Sequence, residues 1–222
     1  MASTSKKKVG RPRAKPRASD VPARTQILLS AAKLFYTHGY DGTTTRQIAD
    51  AVGIRQPSLF YHFKKKDDIL LAIIDEAGAI WLDRLGEFLG AEGNPSVRLY
   101  ALMRFDYYQL LTEPFGIGQL LALPQLRSGV FYEAAQGKID AYTDAYRKLL
   151  RQGVRRGELI VDNIEITTRL LIGLGESTWS WYGPEIRTAP KKIAEQMADL
   201  ALRSVLRRPG DLAKIKKKFE AG

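Results

Sequence analysis

Residues 43–63, TTTRQIADAVGIRQPSLFYHF, are the part of the sequence that predicts the fold. They indicate two short helices joined by a tight turn, which is the helix-turn-helix arrangement. Thr44 and Gln47 have the spacing of a capping box, so the first helix should open at Thr44. Gly53 permits the left-handed backbone that ends this helix. Proline lacks the N–H that would be unpaired in a first helical turn, so Pro57 should start the second helix.

The same stretch separates apolar from polar side chains. Ile48 and Val52 form one apolar face of the first helix, and Leu59 and Phe63 anchor the second. The side chains left outward are Arg55, Gln56, Ser58, Tyr61 and His62. Such a face suits the major groove of DNA, where Gln bonds bidentately to adenine and Arg to guanine. An ordinary solvated helix surface is the alternative interpretation.

The positive charge of the chain lies beside this motif. Residues 1–66 hold 14 Lys and Arg against 3 Asp and Glu, whereas residues 67–222 hold 21 of each. The whole excess of +11 therefore accompanies the helix-turn-helix. Phosphate neutralisation and counterion release on nucleic acid would use it there.

Residues 1–20 lack a hydrophobic period and carry seven Lys and Arg. This segment is predicted to be a disordered basic arm. Its Gly-Arg-Pro-Arg segment is similar to an AT-hook core, in which Arg11 and Arg13 would lie in an A·T-rich minor groove. A solubilising tail with only non-specific attraction to DNA is the alternative.

Several classes of protein are not expected from the composition. The chain has no run of eighteen apolar residues, which argues against a membrane span, and no apolar segment typical of a secretory signal. It has no cysteine, so we expect no disulfide and a cytoplasmic location. Its two histidines, His38 and His62, have no second ligand or nucleophile nearby, so neither an enzyme nor a cofactor is predicted.

Residues 27–74 add further landmarks at fixed offsets, among them AAKLF, GY, LFYHF and Lys66. They resemble the DNA-binding domain of the TetR family of transcriptional repressors. The resemblance implies an all-α chain with an N-terminal three-helix helix-turn-helix DNA-binding domain and a C-terminal helical ligand-binding and dimerisation domain. Many members have Tyr where this chain has Phe60, which removes one hydroxyl from the DNA-facing surface. The resemblance implies DNA contacts from Thr44, Arg46, Arg55, Gln56, Ser58, Tyr61, His62 and Lys66.

Periodicity and helix-breaking residues predict the remaining organisation. We expect a basic arm at 1–20, the DNA-binding domain at 21–66, an effector-binding and dimerisation domain at 67–207, and a solvated tail without an apolar face at 208–222. Helices are predicted at about 22–38, 66–89, 95–112, 115–123, 127–156, 162–182 and 190–207. Breaks are predicted at residues 93–95, Pro114, Pro124, Gly157 and residues 183–184.

Two features of the C-terminal part predict binding surfaces. The helices at 162–182 and 190–207 carry apolar stripes with small residues between them, which suits packing against a second copy, although packing within one chain is the alternative. Aromatic residues near a break at 114–118 indicate a pocket for a small molecule. The candidate pocket residues are Met103, Tyr107, Tyr108, Leu111, Phe115, Glu176 and Trp179.

The function predicted from these features is that of a ligand-responsive repressor. It would bind a near-palindromic double-stranded operator as a homodimer and leave it when a hydrophobic or amphiphilic effector, of which an acyl thioester is one example, is bound. One alternative is an architectural protein that binds DNA without sequence preference, and another is an enzyme with a DNA-binding appendage. Activation in place of repression depends on where the operator lies relative to the promoter.

Overall fold

The computed structural model describes residues 21–90, 93–112 and 129–221, and within these ranges the chain is helical without a β-strand. An isolated antiparallel bridge pairs Leu159 with Leu206. None of the described helices is both long and apolar enough to span a membrane. The helices are α1 (Ala23–His38), α2 (Thr45–Val52), α3 (Gln56–His62), α4 (Lys66–Gly90), α5 (Pro95–Thr112), α6 (Val130–Arg155), α7 (Ile164–Glu176), α8 (Thr178–Trp181), α9 (Pro190–Val205) and α10 (Leu212–Glu220).

The helix-turn-helix forms as the sequence predicts. The Thr44 hydroxyl accepts the Gln47 N–H at 3.2 Å, and the Gln47 side-chain oxygen accepts the Thr44 N–H at 2.8 Å, so the capping box is confirmed. Gly53 has φ 78° and ψ 29°, the left-handed conformation expected at the end of α2. Arg55 is extended and α3 starts at Gln56, which places α2 and α3 on either side of a tight turn.

Helices α1–α3 form the DNA-binding head, and the hydrophobic core of this head extends beyond the domain boundary predicted at residue 66. Phe35, Ile48 and Leu59 are fully buried in it. The same cluster continues into α4 and reaches α6, through Ile69, Leu70, Ile73, Ile74, Ala77 and Ala135. The first half of α4 is therefore part of the head, and its second half is part of the trunk formed by α5–α10.

The trunk is built around α5. Tyr107 of α5 is buried and donates its hydroxyl to the Leu171 carbonyl of α7 at 2.8 Å. A Cβ at Gly175 would lie 2.8 Å from the Tyr107 ring, so glycine at this position allows α7 to lie close against α5. On another side, α9 packs its buried Ala198 and Leu202 into the same core.

The prediction that residues 208–222 form a solvated helix end or tail without an apolar face was wrong. Residues 212–220 form α10, which packs on the trunk. Leu212 and Ile215 are buried, and the Phe219 ring meets Tyr100 edge-on at 5.5 Å. Lys216 donates to Glu195 at 2.8 Å and to Asp199 at 2.7 Å. Three apolar residues at helical spacing among the lysines make the apolar face that the sequence reading missed.

The other predicted helices can be compared with the structure. The helix predicted at 95–112 has the bounds of α5. The helices predicted at 127–156 and 190–207 agree with α6 and α9 to within three residues at each end. The helix predicted at 162–182 is interrupted, because α7 ends at Glu176 and the short α8 follows. The helix predicted at 115–123, the breaks at Pro114 and Pro124, and the arm with Arg11 and Arg13 lie outside the described residues.

Candidate functional site

The outward face of α3 presents polar side chains in a row. Tyr61 is 87% exposed, and Arg55 and Ser58 are exposed beside it. His62 is half-buried, and its ring meets that of Tyr61 edge-on at 5.3 Å. Leu59, which is fully buried, holds the opposite side of α3 in the head core. The polar side chains of α3 thus point away from the core and are not used in packing the head.

Gln56 joins this face to the start of α2. Its side-chain nitrogen donates to the Thr45 hydroxyl at 3.0 Å, which orients the carboxamide. Thr44 and Arg46, on either side of Thr45, are exposed. The predicted residues of α2 and α3 therefore form one continuous surface. Thr45 is not among the predicted DNA contacts, although it lies between two of them in the sequence.

Lys66 has a different environment from the one expected of a free phosphate ligand. Its ammonium donates to the carbonyls of Tyr40 at 2.7 Å and Thr43 at 2.9 Å, and lies 4.2 Å from the Tyr40 ring centre. The Tyr40 hydroxyl donates to Asp67, and this hydrogen bond holds the pKa of the Asp67 carboxyl below its usual range. These contacts fasten the start of α4 to the turn before α2. One N–H of Lys66 is left for a phosphate.

A cavity of about 670 Å³, including its open mouth, lies in the trunk. Among the described residues its lining comes from four helices and the start of α8: Ile74, Ala77, Gly78, Trp81, Asp106, Leu110, Ala135, Lys138, Ile139, Tyr142, Glu176 and Trp179.

Two of the predicted pocket residues, Glu176 and Trp179, line this cavity. Phe115 lies outside the described residues. The others point elsewhere: Met103, Tyr107 and Leu111 are in the trunk core, and Tyr108 is exposed in a groove beside Phe88, Arg104 and Phe219.

Helix geometry explains why the predicted residues of α5 do not line this cavity. Asp106 and Leu110, four residues apart, face the cavity, whereas Tyr107 and Leu111, one residue further on, face the core. A step of one residue turns a helix by about 100°. The residues predicted from the sequence lie on the aromatic face of α5, whereas the neighbouring face of this helix lines the cavity.

Asp106 is the most unusual group in the cavity wall. It is completely buried, and one carboxyl oxygen, Oδ2, accepts hydrogen bonds from the hydroxyls of Tyr142 and Tyr146. The other oxygen, Oδ1, is buried and has no hydrogen-bond partner among the described residues. Burial raises the pKa of Asp106 to about 7, with a smaller upward effect of the Glu176 charge, while the two tyrosine hydroxyls oppose the rise.

Aromatic and charged groups surround this carboxyl. The Trp81 ring meets the Tyr142 ring edge-on at 5.2 Å. Glu176 is at the mouth, and partial burial raises the pKa of its carboxyl. Lys138 is the basic residue of the described lining, and its ammonium is bound by Asp75 on α4 at 2.9 Å. The described cavity surface is therefore aromatic with an excess of acidic groups.

The cavity and the head share part of their walls. Ile74, Ala77 and Ala135 belong to the buried core of the DNA-binding head and also line the cavity. A molecule in the cavity would touch the same α4 side chains that pack against α1. The cavity and the core of the head are thus contiguous along α4.

Family models match two parts of the chain. Residues 27–73 match the family model described as bacterial regulatory proteins, tetR family, and residues 128–205 match that of the tetracyclin repressor-like C-terminal domain. The transcriptional repressor KstR2 of Mycolicibacterium smegmatis is 23% identical to this chain, over 87% of this chain and 98% of its own length.

Solved structures have the same architecture. AmtR of Mycobacterium smegmatis is 32% identical, with a TM-score of 0.73 over 90% of this chain and 95% of its own. AibR, solved with isovaleryl coenzyme A and operator DNA, is 22% identical, with a TM-score of 0.68 over 81% of this chain and 97% of its own. Two family models match residues 27–73 and 128–205, and a relative of 32% identity covers 90% of the chain. The chain therefore belongs to the TetR family of transcriptional regulators.

Proposed function

We propose that this DNA-binding, ligand-responsive repressor binds a near-palindromic operator as a homodimer, and that a small apolar or amphiphilic effector in the trunk cavity releases it. The observation that carries the proposal is the shared wall of cavity and head at Ile74, Ala77 and Ala135. It gives an occupant of the cavity direct contact with the core that positions α3.

We assign the reading of bases to Arg46 and Gln56, together with Arg55 and Ser58. Gln56 is oriented by Thr45, as a residue needs to be for a bidentate contact with adenine. Thr44, Tyr61, His62 and the remaining N–H of Lys66 would fix the position of the head on phosphates. Arg11 and Arg13 of the arm would add minor-groove contacts.

The dimer interface would be formed chiefly by α7. Ile166 is 57% exposed and Leu170 is 67% exposed, and they continue at helical spacing into Gly173, Ser177 and Trp181. This stripe of apolar and small residues suits close packing against its symmetry mate. On α9 the contribution would come from Leu200, because the residues that suggested a stripe there are buried within the chain: Ile193, Met197, Ala201 and Val205.

Release would follow from a shift between two arrangements of the dimer. In the operator-bound arrangement the two α3 helices are one DNA turn apart, about 34–36 Å. An effector that binds better to an arrangement in which α4 is displaced from α6 would move the heads out of that spacing. An acyl thioester is one such amphiphile, and AibR, a protein of the same fold, was solved with isovaleryl coenzyme A and operator DNA.

Selection of duplexes from random DNA by the purified full-length chain tests the DNA-binding part. We expect a consensus with two-fold symmetry, and we expect Arg55→Ala to weaken binding to it at least tenfold. Arg151→Ala is a matched control, because Arg151 is an equally charged, exposed residue at the trunk end of α6. Enrichment of no consensus would favour the architectural alternative and contradict the proposal.

A further inference from the structure

We infer that the trunk cavity recognises an apolar molecule that carries a protonated amine, and that the ammonium binds the free oxygen of Asp106. This inference rests on the proposed function in one respect, namely that the cavity is the effector site. It adds the chemical class of the ligand. It is carried by the hydrogen bonding and the surroundings of one buried carboxyl.

The first step is the unused oxygen. Asp106 is fully buried and lines the cavity, and its Oδ1 has no donor among the described residues. A buried carboxyl oxygen without a donor destabilises the protein, and a ligand that supplies the donor removes that cost. The most favourable ligand for this place therefore has an N–H or O–H group.

The second step concerns the ionised form of Asp106, which a bound cation would favour over the acid. Tyr142 and Tyr146 both direct their hydroxyls at Oδ2. Two donated hydrogen bonds stabilise the ionised carboxylate relative to the acid. A carboxylate held in this way presents Oδ1 as an acceptor with a negative charge. An ammonium group supplies both a donor and the opposite charge, and such charge-assisted bonds are the stronger ones.

The third step concerns the surroundings. Trp81, Tyr142 and Trp179 line the cavity, and aromatic faces attract organic cations. Glu176 adds a second carboxyl at the mouth. The Lys138 ammonium, which would repel a cation, is paired with Asp75. An anionic ligand would meet the carboxyls of Asp106 and Glu176, and the Lys138 ammonium is already paired with Asp75. The described walls of the cavity therefore favour a cation.

Three probes with the same eight-carbon chain test the inference: octylamine, octanol and octanoyl coenzyme A. Binding to the full-length dimer is measured by the fluorescence of the tryptophans, two of which line the cavity. We expect octylamine to bind at least tenfold more tightly than octanol. Asp106→Asn should weaken octylamine at least tenfold and leave octanol within twofold, whereas the exposed Asp83→Asn should change neither.

Circular dichroism and the melting midpoint establish that the Asp106→Asn protein is folded. Glu176→Gln, at the exposed mouth, is a second variant that should fold normally and weaken octylamine about threefold. Equal binding of octylamine and octanol, tighter binding of octanoyl coenzyme A, or an octylamine affinity unchanged in both variants would overturn the inference. These outcomes leave the proposed function intact, because operator selection involves neither carboxyl and fails or succeeds independently.

Discussion

At the scale of single residues, the orientation of the Gln56 side chain depends on a neighbour. The Thr45 hydroxyl accepts from its amide nitrogen at 3.0 Å, which leaves the amide oxygen and one N–H for a base. We expect Gln56→Ala to relax the base preference at one position of each half-site, at a cost of about 1–3 kcal/mol. Operator affinities measured by fluorescence anisotropy on duplexes substituted at each position report this.

The neighbour can be tested separately. Thr45→Val removes the hydroxyl but keeps the shape, and should cost a smaller amount, about 0.5–1.5 kcal/mol, at the same position of the half-site. Loss of affinity at all positions alike in either variant would contradict the assignment of Gln56 to base reading.

Asp106 predicts a pH dependence of stability. Its pKa in the folded chain is about 7, above the ordinary value of 3.8, so the folded state holds the proton more tightly than the unfolded state. Stability from this group is therefore complete below about pH 4 and is lost as the pH rises through 7. Between pH 5 and pH 8 the free energy of unfolding of the wild type should fall by roughly 2–3 kcal/mol relative to Asp106→Asn.

Urea unfolding of both proteins at the two pH values measures this difference. The groups around the carboxyl are Tyr142, Tyr146 and Tyr107, whose pKa values are raised by burial, and Glu176, whose raised pKa acts in the same direction. The difference between the two proteins isolates Asp106 from them. Saturating octylamine should abolish the fall, since it stabilises the ionised carboxylate. A difference independent of pH would show that Asp106 is ionised throughout.

At the scale of elements, α7 carries the prediction on assembly. Leu170→Arg places two charges in the centre of the proposed interface and removes about 2 kcal/mol of apolar burial from each protomer. The dimer dissociation constant should rise on the order of 1,000-fold. Sedimentation equilibrium measures it, with Val130→Arg as the control, because Val130 is similarly exposed but lies at the start of α6. A Leu170→Arg protein that remained dimeric would place the interface elsewhere.

Elements also show what the sequence could predict and where it failed. Caps and turns are local, so Thr44, Gln47 and Gly53 predicted α2 from their own neighbours. The cavity depends on which face of α5 meets α4 and α6, and that choice is made by packing between distant helices. Asp106 was missed for the same reason: an isolated carboxyl between apolar residues has no local sign of burial.

The tail illustrates a third case. The lysines of α10 dominate its composition, while Leu212, Ile215 and Phe219 decide its position. The sequence of α10 does contain the helical periodicity of these apolar residues. The residue that Phe219 contacts, Tyr100, is more than a hundred residues away in the chain. Prediction from sequence thus succeeded for the helices of the head, and failed where two remote segments had to meet.

At the scale of the whole molecule, the distribution of charge makes a prediction about salt. All of the excess charge lies in residues 1–66, and seven of its cations lie in the arm. If all seven meet phosphates, deletion of residues 1–18 should reduce the slope of log affinity against log salt by up to about 6 and weaken operator binding at 0.1 M salt. Contacts from Arg11 and Arg13 alone would reduce the slope by about 2.

A variant that loses cations from the trunk is the control for the salt dependence of the arm deletion. Replacing Lys217 and Lys218 with Gln removes two exposed cations from the end of α10, which belongs to the trunk. This control should leave the slope unchanged, because phosphates are neutralised by the charges that reach them and not by net charge at a distance beyond the Debye length. An equal loss of slope in the control and the deletion would mean that DNA contacts the trunk as well. DNA contacts from the trunk would hold the trunk in place when an effector binds. The proposed release by displacement of α4 would then be contradicted, because the trunk would also have to leave the DNA.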